Sequence, residues 1–198
     1  LQDLNEAGSK ITAKDLAQYD ATLSAPLRSQ YRGHDIFSAG PLTAGPSLIQ
    51  ALKTFETMHP APAESPDAAA YLAMAKALQT TYADRLENLG EGNLSGSTTH
   101  ICTADSAGNL VSFTQTIMSA FGARILLPSS GILMNNGMMW FDPRPGGGNS
   151  VEGGRRPLCN MCPTLGRSQD GHWFAVGACG GRKIFPSVFQ LAIFLSDY

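Results

Sequence analysis

The sequence has no excess of either charge and no cluster of basic residues. Its 14 lysines and arginines stand against 16 aspartates and glutamates, which gives a net charge of −2. Nucleic acids and anionic membrane surfaces are bound through clustered positive charge, so neither is an expected partner. We expect a small molecule instead, while self-association stays open.

Long apolar runs are also missing. None approaches the roughly 20 residues that span a bilayer, and the amino-terminal residues show no signal-peptide pattern. The sequence therefore predicts a soluble chain without a membrane partner. Its 198 residues suffice for one domain with a sizeable core.

Cysteine is scarce, and the four cysteines do not form a recognisable metal motif. Cys159 and Cys162 have the C-x-x-C spacing, but Cys102 and Cys179 supply no second pair at zinc-ligand spacing. We expect buried thiols, no metal and no organic cofactor. Unpaired thiols favour the cytoplasm over the periplasm or a secreted location, and the compartment is otherwise open.

The most informative stretch runs from residue 96 to residue 116 and predicts a β-hairpin. β-branched and aromatic residues fill both arms, and an Asp-Ser-Ala-Gly-Asn turn joins them. A turn centred on Ala107 places Thr98 opposite Thr116 and His100 opposite Thr114. A turn one residue longer or shorter would lose this pairing. Threonines in these positions are, by themselves, ordinary strand residues.

Several sequence blocks follow one another in an order that is hard to produce by accident. They are residues 96–100, 105–109 and 114–116, then residues 130–136, 156–164 and 177–181. The first three resemble the start of the small subunit of the gamma-glutamyltranspeptidase family, and the last three resemble its later blocks. Residues 31–34 and 82–85 resemble the end of its large subunit. The resemblance implies a precursor that cuts itself between Ser97 and Thr98. It assigns residues 1–97 to a large-subunit-like region and residues 98–198 to a small-subunit-like region, which together form one structural domain and remain partners.

The chemistry of such a cut supports Thr98 as the nucleophile. A hydroxyl needs a base near neutral pH, and a free α-amino group, with a pKa of about 7.7–8.0, is suitable. The family pattern gives Thr116 the role of holding the Thr98 hydroxyl, and gives Gly180 and Gly181 the role of an oxyanion hole. Gly-Gly alone would equally fit a tight turn or a phosphate loop. His100 shares a face with Thr98 at a spacing too long for a direct proton relay.

The implied substrate-binding positions depart from the family. They are Met118, Asn136, Gly137, Trp140, Cys159 and Asn160. Gamma-glutamyl enzymes are expected to carry Asn, Gln and Asp where this sequence has Met118, Gly137 and Trp140, and a serine pair where it has Cys159-Asn160. Without the acidic group at position 140, a substrate α-ammonium group would be buried unpaired, which is costly. The loop at residues 142–156 is also short compared with members that carry a lid.

These observations predict a gamma-glutamyltranspeptidase-like amidohydrolase or acyltransferase with a threonyl acyl-enzyme. The first alternative is an acylase for a less polar N-acyl substrate, similar to cephalosporin acylases. The second is a non-catalytic fragment or structural paralogue. Met118 and Trp140 would also fit ordinary core residues in a divergent member with unchanged activity.

The predicted fold class is α+β, a four-layer αββα sandwich of two antiparallel sheets, which is the N-terminal-nucleophile hydrolase fold that the resemblance implies. Helices are expected after a capping box at Thr12, after Ser47, after Asp67 and after Gly181. The expected apolar stripes are 48, 52 and 55; then 71, 75, 78, 82 and 89, with Gly90 as a stop; and finally 184, 188, 191 and 195. Residues 91–97 are predicted to be exposed and flexible. Strands are expected at residues 35–39, 124–127, 131–134, 164–167 and 172–178, in addition to the first hairpin, with a loop at 142–154.

Overall fold

The computed structural model describes residues 1–89 and 97–198. Its helices are α1 (Gln2–Glu6), α2 (Ala13–Gln18), α3 (Gly45–Met58), α4 (Ala68–Leu89) and α5 (Ile184–Asp197). Its strands are β1 (Leu27–Tyr31), β2 (His34–Ser38), β3 (Thr98–Ala104), β4 (Leu110–Thr116), β5 (Thr164–Arg167) and β6 (Trp173–Val176). The predicted α+β class with two antiparallel sheets is confirmed. The stop at Gly90 and most of the segment at residues 91–97 lie outside the described residues.

The larger sheet has four antiparallel strands in the order β1-β2-β5-β6. Strands β1 and β2 form a tight hairpin, in which Arg32 and Gly33 take the left-handed conformation that a two-residue turn requires. Strand β2 then pairs with β5, from Asp35 opposite Arg167 to Ser38 opposite Thr164. Half of this sheet therefore precedes Thr98 in the chain, and half follows it.

The main core lies between one face of this sheet and the helices α3 and α5, with α4 packed on α3. The largest side chains in it are Tyr31, Phe55, Phe185 and Phe189, all almost fully buried. The second sheet is the hairpin β3–β4, and it packs on the four-stranded sheet. The Ser112 hydroxyl joins the two sheets, since it donates to the Val176 carbonyl at 3.0 Å and accepts from the Thr164 amide at 3.0 Å.

The described residues form a layer of helices and two packed sheets. None of their helices covers the outer face of the β3–β4 hairpin. Ile101 and Phe113 on that face are each nearly half exposed. Within residues 1–89 and 97–198, no helix is both long and apolar enough to cross a membrane.

Several helix predictions hold, and the beginning of α3 corrects one of them. The Thr12–Asp15 capping box is formed, and the Asp67 carboxylate caps α4 through the Ala70 amide at 2.8 Å. Helix α3 begins at Gly45, with Ala44 at the cap position, rather than after Ser47. A side chain at Gly45 would meet the Ala39 carbonyl at 2.2 Å, so only glycine fits this helix start.

The predicted stripe of α4 is wrong at its amino-terminal end. Tyr71 is half exposed, whereas Ala70, Ala73, Met74 and Ala77 are buried. Small side chains let α4 approach α3 closely, so the alanines form the contact and Tyr71 points outward. Leu78 and Tyr82 lie at the edge of the core, as predicted.

Two further predictions fail, one in α5 and one around residue 128. Leu191 and Leu195 of α5 are exposed, and Phe185, Phe189, Ala192 and Ile193 take the core side with Ile184 and Val188. Residues 124–127 and 131–134 form one isolated bridge, Leu126 with Leu133, instead of two buried strands. The second hairpin, β5–β6, is confirmed and ends at Val176.

Candidate active site

The register of the β3–β4 hairpin is the predicted one. Thr98 lies opposite Thr116, and His100 lies opposite Thr114. The Asp105 carboxylate fixes the turn, because its Oδ1 accepts from the amides of Ala107 and Asn109, both at 2.9 Å. The hydrogen bonds from the Asn109 side chain and amide hold the pKa of Asp105 below its usual value.

Beyond Thr116 the chain turns sharply at Met118, which is 2% exposed and has a φ of 78°. A left-handed non-glycine residue stores roughly 1–3 kcal/mol of strain, so its surroundings must hold it in place. The Met118 amide donates to Thr116 Oγ1 at 2.9 Å, and the Met118 carbonyl accepts from the Ser97 amide at 2.7 Å. The turn thus fixes the Thr116 hydroxyl oxygen and anchors the residue before Thr98.

His100 has a structural role in the hairpin that the sequence did not reveal. Its Nδ1 lies 2.8 Å from Thr114 Oγ1, and its Nε2 lies 3.1 Å from Cys102 Sγ. The ring also covers Gly177, where an added Cβ would lie 2.0 Å from the ring. Burial lowers the pKa of His100, which favours a neutral ring. His100 therefore holds the hairpin against the chain just after β6.

Gly180 and Gly181 follow a few residues later, between β6 and α5. Both are left-handed, with φ values of 111° and 59°, and they lead into a 3₁₀ turn at Gly181–Lys183 that continues as α5. Among the described residues, none accepts a hydrogen bond from the backbone N–H of either glycine. Both amides therefore lack a described acceptor, and Gly181 is buried.

A cavity of about 910 Å³ lies between the loop that precedes α3 and the chain from residue 135 to residue 161. Much of its wall is apolar, with Leu42, Met138, Phe141 and Met161 contributing. Three of the predicted substrate-binding residues line it, namely Gly137, Trp140 and Cys159. This part of the site is assembled by residues from both halves of the chain.

The charged groups of the cavity are arginines, which the sequence reasoning missed. Arg155 and Arg156 both line it, whereas no carboxylate side chain in the described part of the chain does. Arg155 forms an exposed ion pair with Glu152 at 2.7 Å. The guanidinium carbon of Arg156 stacks 5.7 Å from the centre of the Tyr19 ring. Arg156 is the first residue of the block at 156–164 that resembles the family. This resemblance was the sequence signal that could have identified it.

The other predicted substrate-binding residues have different positions. Asn136 uses its side-chain amide on Ser119, donating to the hydroxyl at 2.8 Å and accepting from the backbone amide at 3.0 Å. The side-chain oxygen Oδ1 of Asn160 accepts from Arg85 Nη2 at 3.1 Å. Neither of these asparagines, nor Met118, lines the cavity.

The predicted catalytic residues lie outside the lining of this cavity. They are Thr98, Thr116, Gly180 and Gly181. A short connection exists, because the Asn136 amide donates to the Ile117 carbonyl at 3.2 Å. Ile117 follows Thr116 directly, and Asn136 directly precedes Gly137 of the cavity wall. The end of the hairpin and the cavity are therefore adjacent parts of one backbone network.

Within the described residues, the thiols are not part of a metal-binding cluster. In residues 1–89 and 97–198, no group of three or more His, Cys, Asp or Glu residues could hold a metal ion. All four cysteines are free, but only Cys159 and Cys162 are buried; the expectation of buried thiols is wrong for Cys102 and Cys179, which are exposed. Burial raises the pKa of Cys159, and it raises that of Cys162 to about 11. Both buried thiols are therefore protonated near neutral pH.

One family model and several known proteins match this chain. The protein-family model described as Gamma-glutamyltranspeptidase matches residues 1–95 and 91–198. The glutathione hydrolase proenzyme of Escherichia coli (strain K12) is 30% identical over 249 residues, which cover 100% of this chain and 43% of that protein. The Acylase ACY 1 proenzyme of Pseudomonas sp. (strain SE83) is 31% identical over 229 residues, covering 96% of this chain and 41% of that protein.

A solved structure shares the fold. The crystal structure of cephalosporin acylase from Bacillus halodurans superposes with a TM-score of 0.74 at 24% identity, and the match covers 96% of this chain and 41% of that one. The chain thus spans less than half the length of each of these three relatives.

Proposed function

The chain belongs to the gamma-glutamyltranspeptidase family, and from that membership we propose that it forms part of an amide-cleaving enzyme in which Thr98 is the nucleophile. The family includes glutathione hydrolase and acylase proenzymes, so amide hydrolysis or acyl transfer is the shared chemistry. The observation that carries the proposal is the register that places Thr98 opposite Thr116 at the anchored end of the hairpin.

Self-cleavage would come first. The Thr98 hydroxyl oxygen adds to the Ser97 carbonyl carbon, and the peptide C–N bond then breaks as the nitrogen takes the proton. The resulting ester on Thr98 is hydrolysed by water, which leaves a Ser97 carboxylate and a free α-amino group on Thr98. Support comes from the Ser97 amide, whose 2.7 Å bond to the Met118 carbonyl fixes the residue that carries the attacked carbonyl.

Turnover would use the same hydroxyl. The new amine takes the hydroxyl proton as the oxygen attacks the substrate amide, and it later returns the proton to the leaving amine. Because Thr116 Oγ1 already accepts from the Met118 amide, its hydroxyl hydrogen can be donated to Thr98 and fix that rotamer. The Gly180 and Gly181 amides would bind the oxyanion, each contributing roughly 3–4 kcal/mol of transition-state stabilisation.

The cavity favours a second candidate for the acyl group. A gamma-glutamyl donor presents both an α-carboxylate and an α-ammonium group. The arginines of the cavity suit a carboxylate, but no acidic side chain in its described wall would pair with the ammonium. An acyl chain that is apolar along its length and carries no ammonium fits Trp140, Phe141 and Met161 better. This favours an acylase over a gamma-glutamyl enzyme.

Mass spectrometry of the purified protein tests the nucleophile. We expect fragments divided between Ser97 and Thr98, with none in a Thr98→Ala variant and slower cleavage in Thr98→Ser, which keeps a hydroxyl. Cleavage that persists in Thr98→Ala, or a wild-type chain that stays intact on long incubation, would refute the proposal.

Chromogenic anilides then test the acyl group. We expect the processed protein to release p-nitroaniline faster from glutaryl-p-nitroanilide than from gamma-glutamyl-p-nitroanilide, because only the second carries an ammonium group. The opposite order would favour a glutathione hydrolase and reject the acylase.

A further inference from the structure

Within the described residues, Arg85 on α4 is a buried cation that makes four hydrogen bonds, all of them to neutral acceptors. The residue is 5% exposed. Its Nη1 donates to Ser47 Oγ at 3.1 Å and to the Thr43 carbonyl at 3.5 Å. Its Nη2 donates to the Cys159 carbonyl at 2.8 Å and to Asn160 Oδ1 at 3.1 Å. Burial lowers the pKa of Arg85, yet an arginine stays charged at any ordinary pH, so these bonds compensate a real desolvation cost.

The acceptors lie on opposite sides of the proposed cleavage point, since Thr43 and Ser47 belong to the loop before α3 and its first turn, and Cys159 and Asn160 belong to the loop before β5. Two main-chain bonds already join these loops, from the Cys159 amide to the Leu42 carbonyl at 2.9 Å and from the Ala44 amide to the Met161 carbonyl at 3.0 Å. The planar guanidinium directs Nη1 to Ser47 and Thr43 at the start of α3 and Nη2 to Cys159 and Asn160, which fixes the spacing of the two segments.

Both loops face the cavity. Leu42 and Thr43 line one side of it, and Cys159 and Met161 line the other, while Arg85 lies behind the wall and does not line it. Cys159 and Asn160 are also the positions at which the family pattern expects a serine pair that contacts the substrate. The guanidinium therefore holds the carbonyl of one such residue and the side chain of the other.

We propose that Arg85 is a positioning residue for substrate recognition, which sets the spacing of the two cavity walls and the orientation of Cys159 and Asn160 without touching the substrate. The inference rests on the proposed function, because it takes the cavity to be the acyl-binding site. A merely structural arginine would affect stability alone.

Access to the Cys159 thiol tests the inference without any enzyme assay. The rate of Cys159 alkylation by iodoacetamide is measured by peptide mass spectrometry and corrected for thiolate content over a pH series. The corrected rate reports how well the cavity wall protects the thiol. We expect Cys159 in Arg85→Met to react at least tenfold faster than in the wild type. Arg85→Lys keeps the charge but cannot bridge both loops, so it should react at an intermediate rate. An unchanged rate in Arg85→Met would overturn the proposal.

Arg32→Met is the matched control. Arg32 is also a largely enclosed arginine, with 10% of its side chain exposed, but it pairs with Asp197 at 3.1 Å and none of its described partners lines the cavity. With denaturant adjusted so that both variants have the same folded fraction, Cys159 should stay protected in Arg32→Met. Equal acceleration in both variants would mean general loosening and would refute a specific role for Arg85.

Kinetics with the better anilide complete the test. We expect KM to rise at least tenfold in Arg85→Met with kcat within threefold of the wild type, and millimolar guanidinium to lower the raised KM of Arg85→Ala. An unchanged KM refutes the role of Arg85. A wild-type protein that cleaves no amide refutes the proposed function instead, and the thiol result then still decides whether Arg85 holds the two walls.

Discussion

Replacing Gly177 with alanine should displace the His100 ring from its position on the hairpin. The new Cβ would lie 2.0 Å from Cε1, 2.2 Å from Nδ1 and 2.4 Å from Nε2 of that ring. Non-bonded carbons approach to about 3.5–4.0 Å, so the ring would have to retreat by about 1.5 Å. Such a movement breaks the 2.8 Å contact of Nδ1 with Thr114 and the 3.1 Å contact of Nε2 with Cys102.

The expected loss of unfolding free energy follows from these contacts. Overpacking costs about 1–3 kcal/mol, and a lost hydrogen bond adds about 1 kcal/mol, for a total of about 2–4 kcal/mol. Urea unfolding in a Thr98→Ala background, where processing should not intervene, should show a lower midpoint at unchanged slope. Gly153→Ala is the control, because a side chain there meets nothing within 4 Å.

A double-mutant cycle identifies the cause. With His100→Ala the ring is gone, so alanine at position 177 should fit, and the two changes should couple by at least about 1 kcal/mol. The reasoning is refuted if Gly177→Ala unfolds at the same midpoint as Gly153→Ala, or if the double variant shows simple additivity.

Three more predictions follow from the site and its supports. Trp140→Asp adds a counter-charge for an α-ammonium group, so the ratio of kcat/KM for gamma-glutamyl over glutaryl anilide should rise at least tenfold, or about 1.4 kcal/mol; an unchanged ratio contradicts the assignment of position 140. Burial lowers the pKa of His100, so its folded form resists protonation; stability should be retained above the unfolded pKa of about 6.5 and fall below it. Urea midpoints of His100→Gln between pH 7 and pH 5 should fall less steeply than those of the wild type, and equal slopes would argue against a buried neutral ring. Asp67→Ala removes the 2.8 Å hydrogen bond that caps α4 at Ala70 and should lower the free energy of unfolding by about 1 kcal/mol. Asp67→Asn should retain most of that stability, as measured by the same urea midpoints. Equal losses in the two variants would show that the cap is unimportant.

The hairpin could be predicted because its register is a local property. Asp105 and Asn109 close the turn with their own side chains, symmetrically about Ala107, so the pairing of Thr98 with Thr116 needs no distant contact. The capping box at Thr12 is local in the same way. Turn and cap chemistry act within a few residues, which a single sequence displays in full.

Packing decided the features that failed. Helix α4 carries alanines on several faces, so its sequence hardly distinguishes the buried face from the exposed one. Because α3 approaches closely, Ala73 and Ala77 are buried and Tyr71 is exposed. The apolar residues around position 128 suggested strands, but Arg124 and Gly131 are left-handed and interrupt any ladder. The arginines of the cavity were missed because the tertiary arrangement of loops, rather than any spacing, brings Arg156 beside Tyr19.

The strand order of the larger sheet has a consequence for a nicked molecule. A break between Ser97 and Thr98 would leave β1 and β2 on one polypeptide, with β5 and β6 on the other, and the ladder between β2 and β5 would run across both. Helix α3 of the first polypeptide would likewise remain packed against α5 of the second in the hydrophobic core. The two products should co-elute as a non-covalent heterodimer and should separate only when a denaturant unfolds the whole domain.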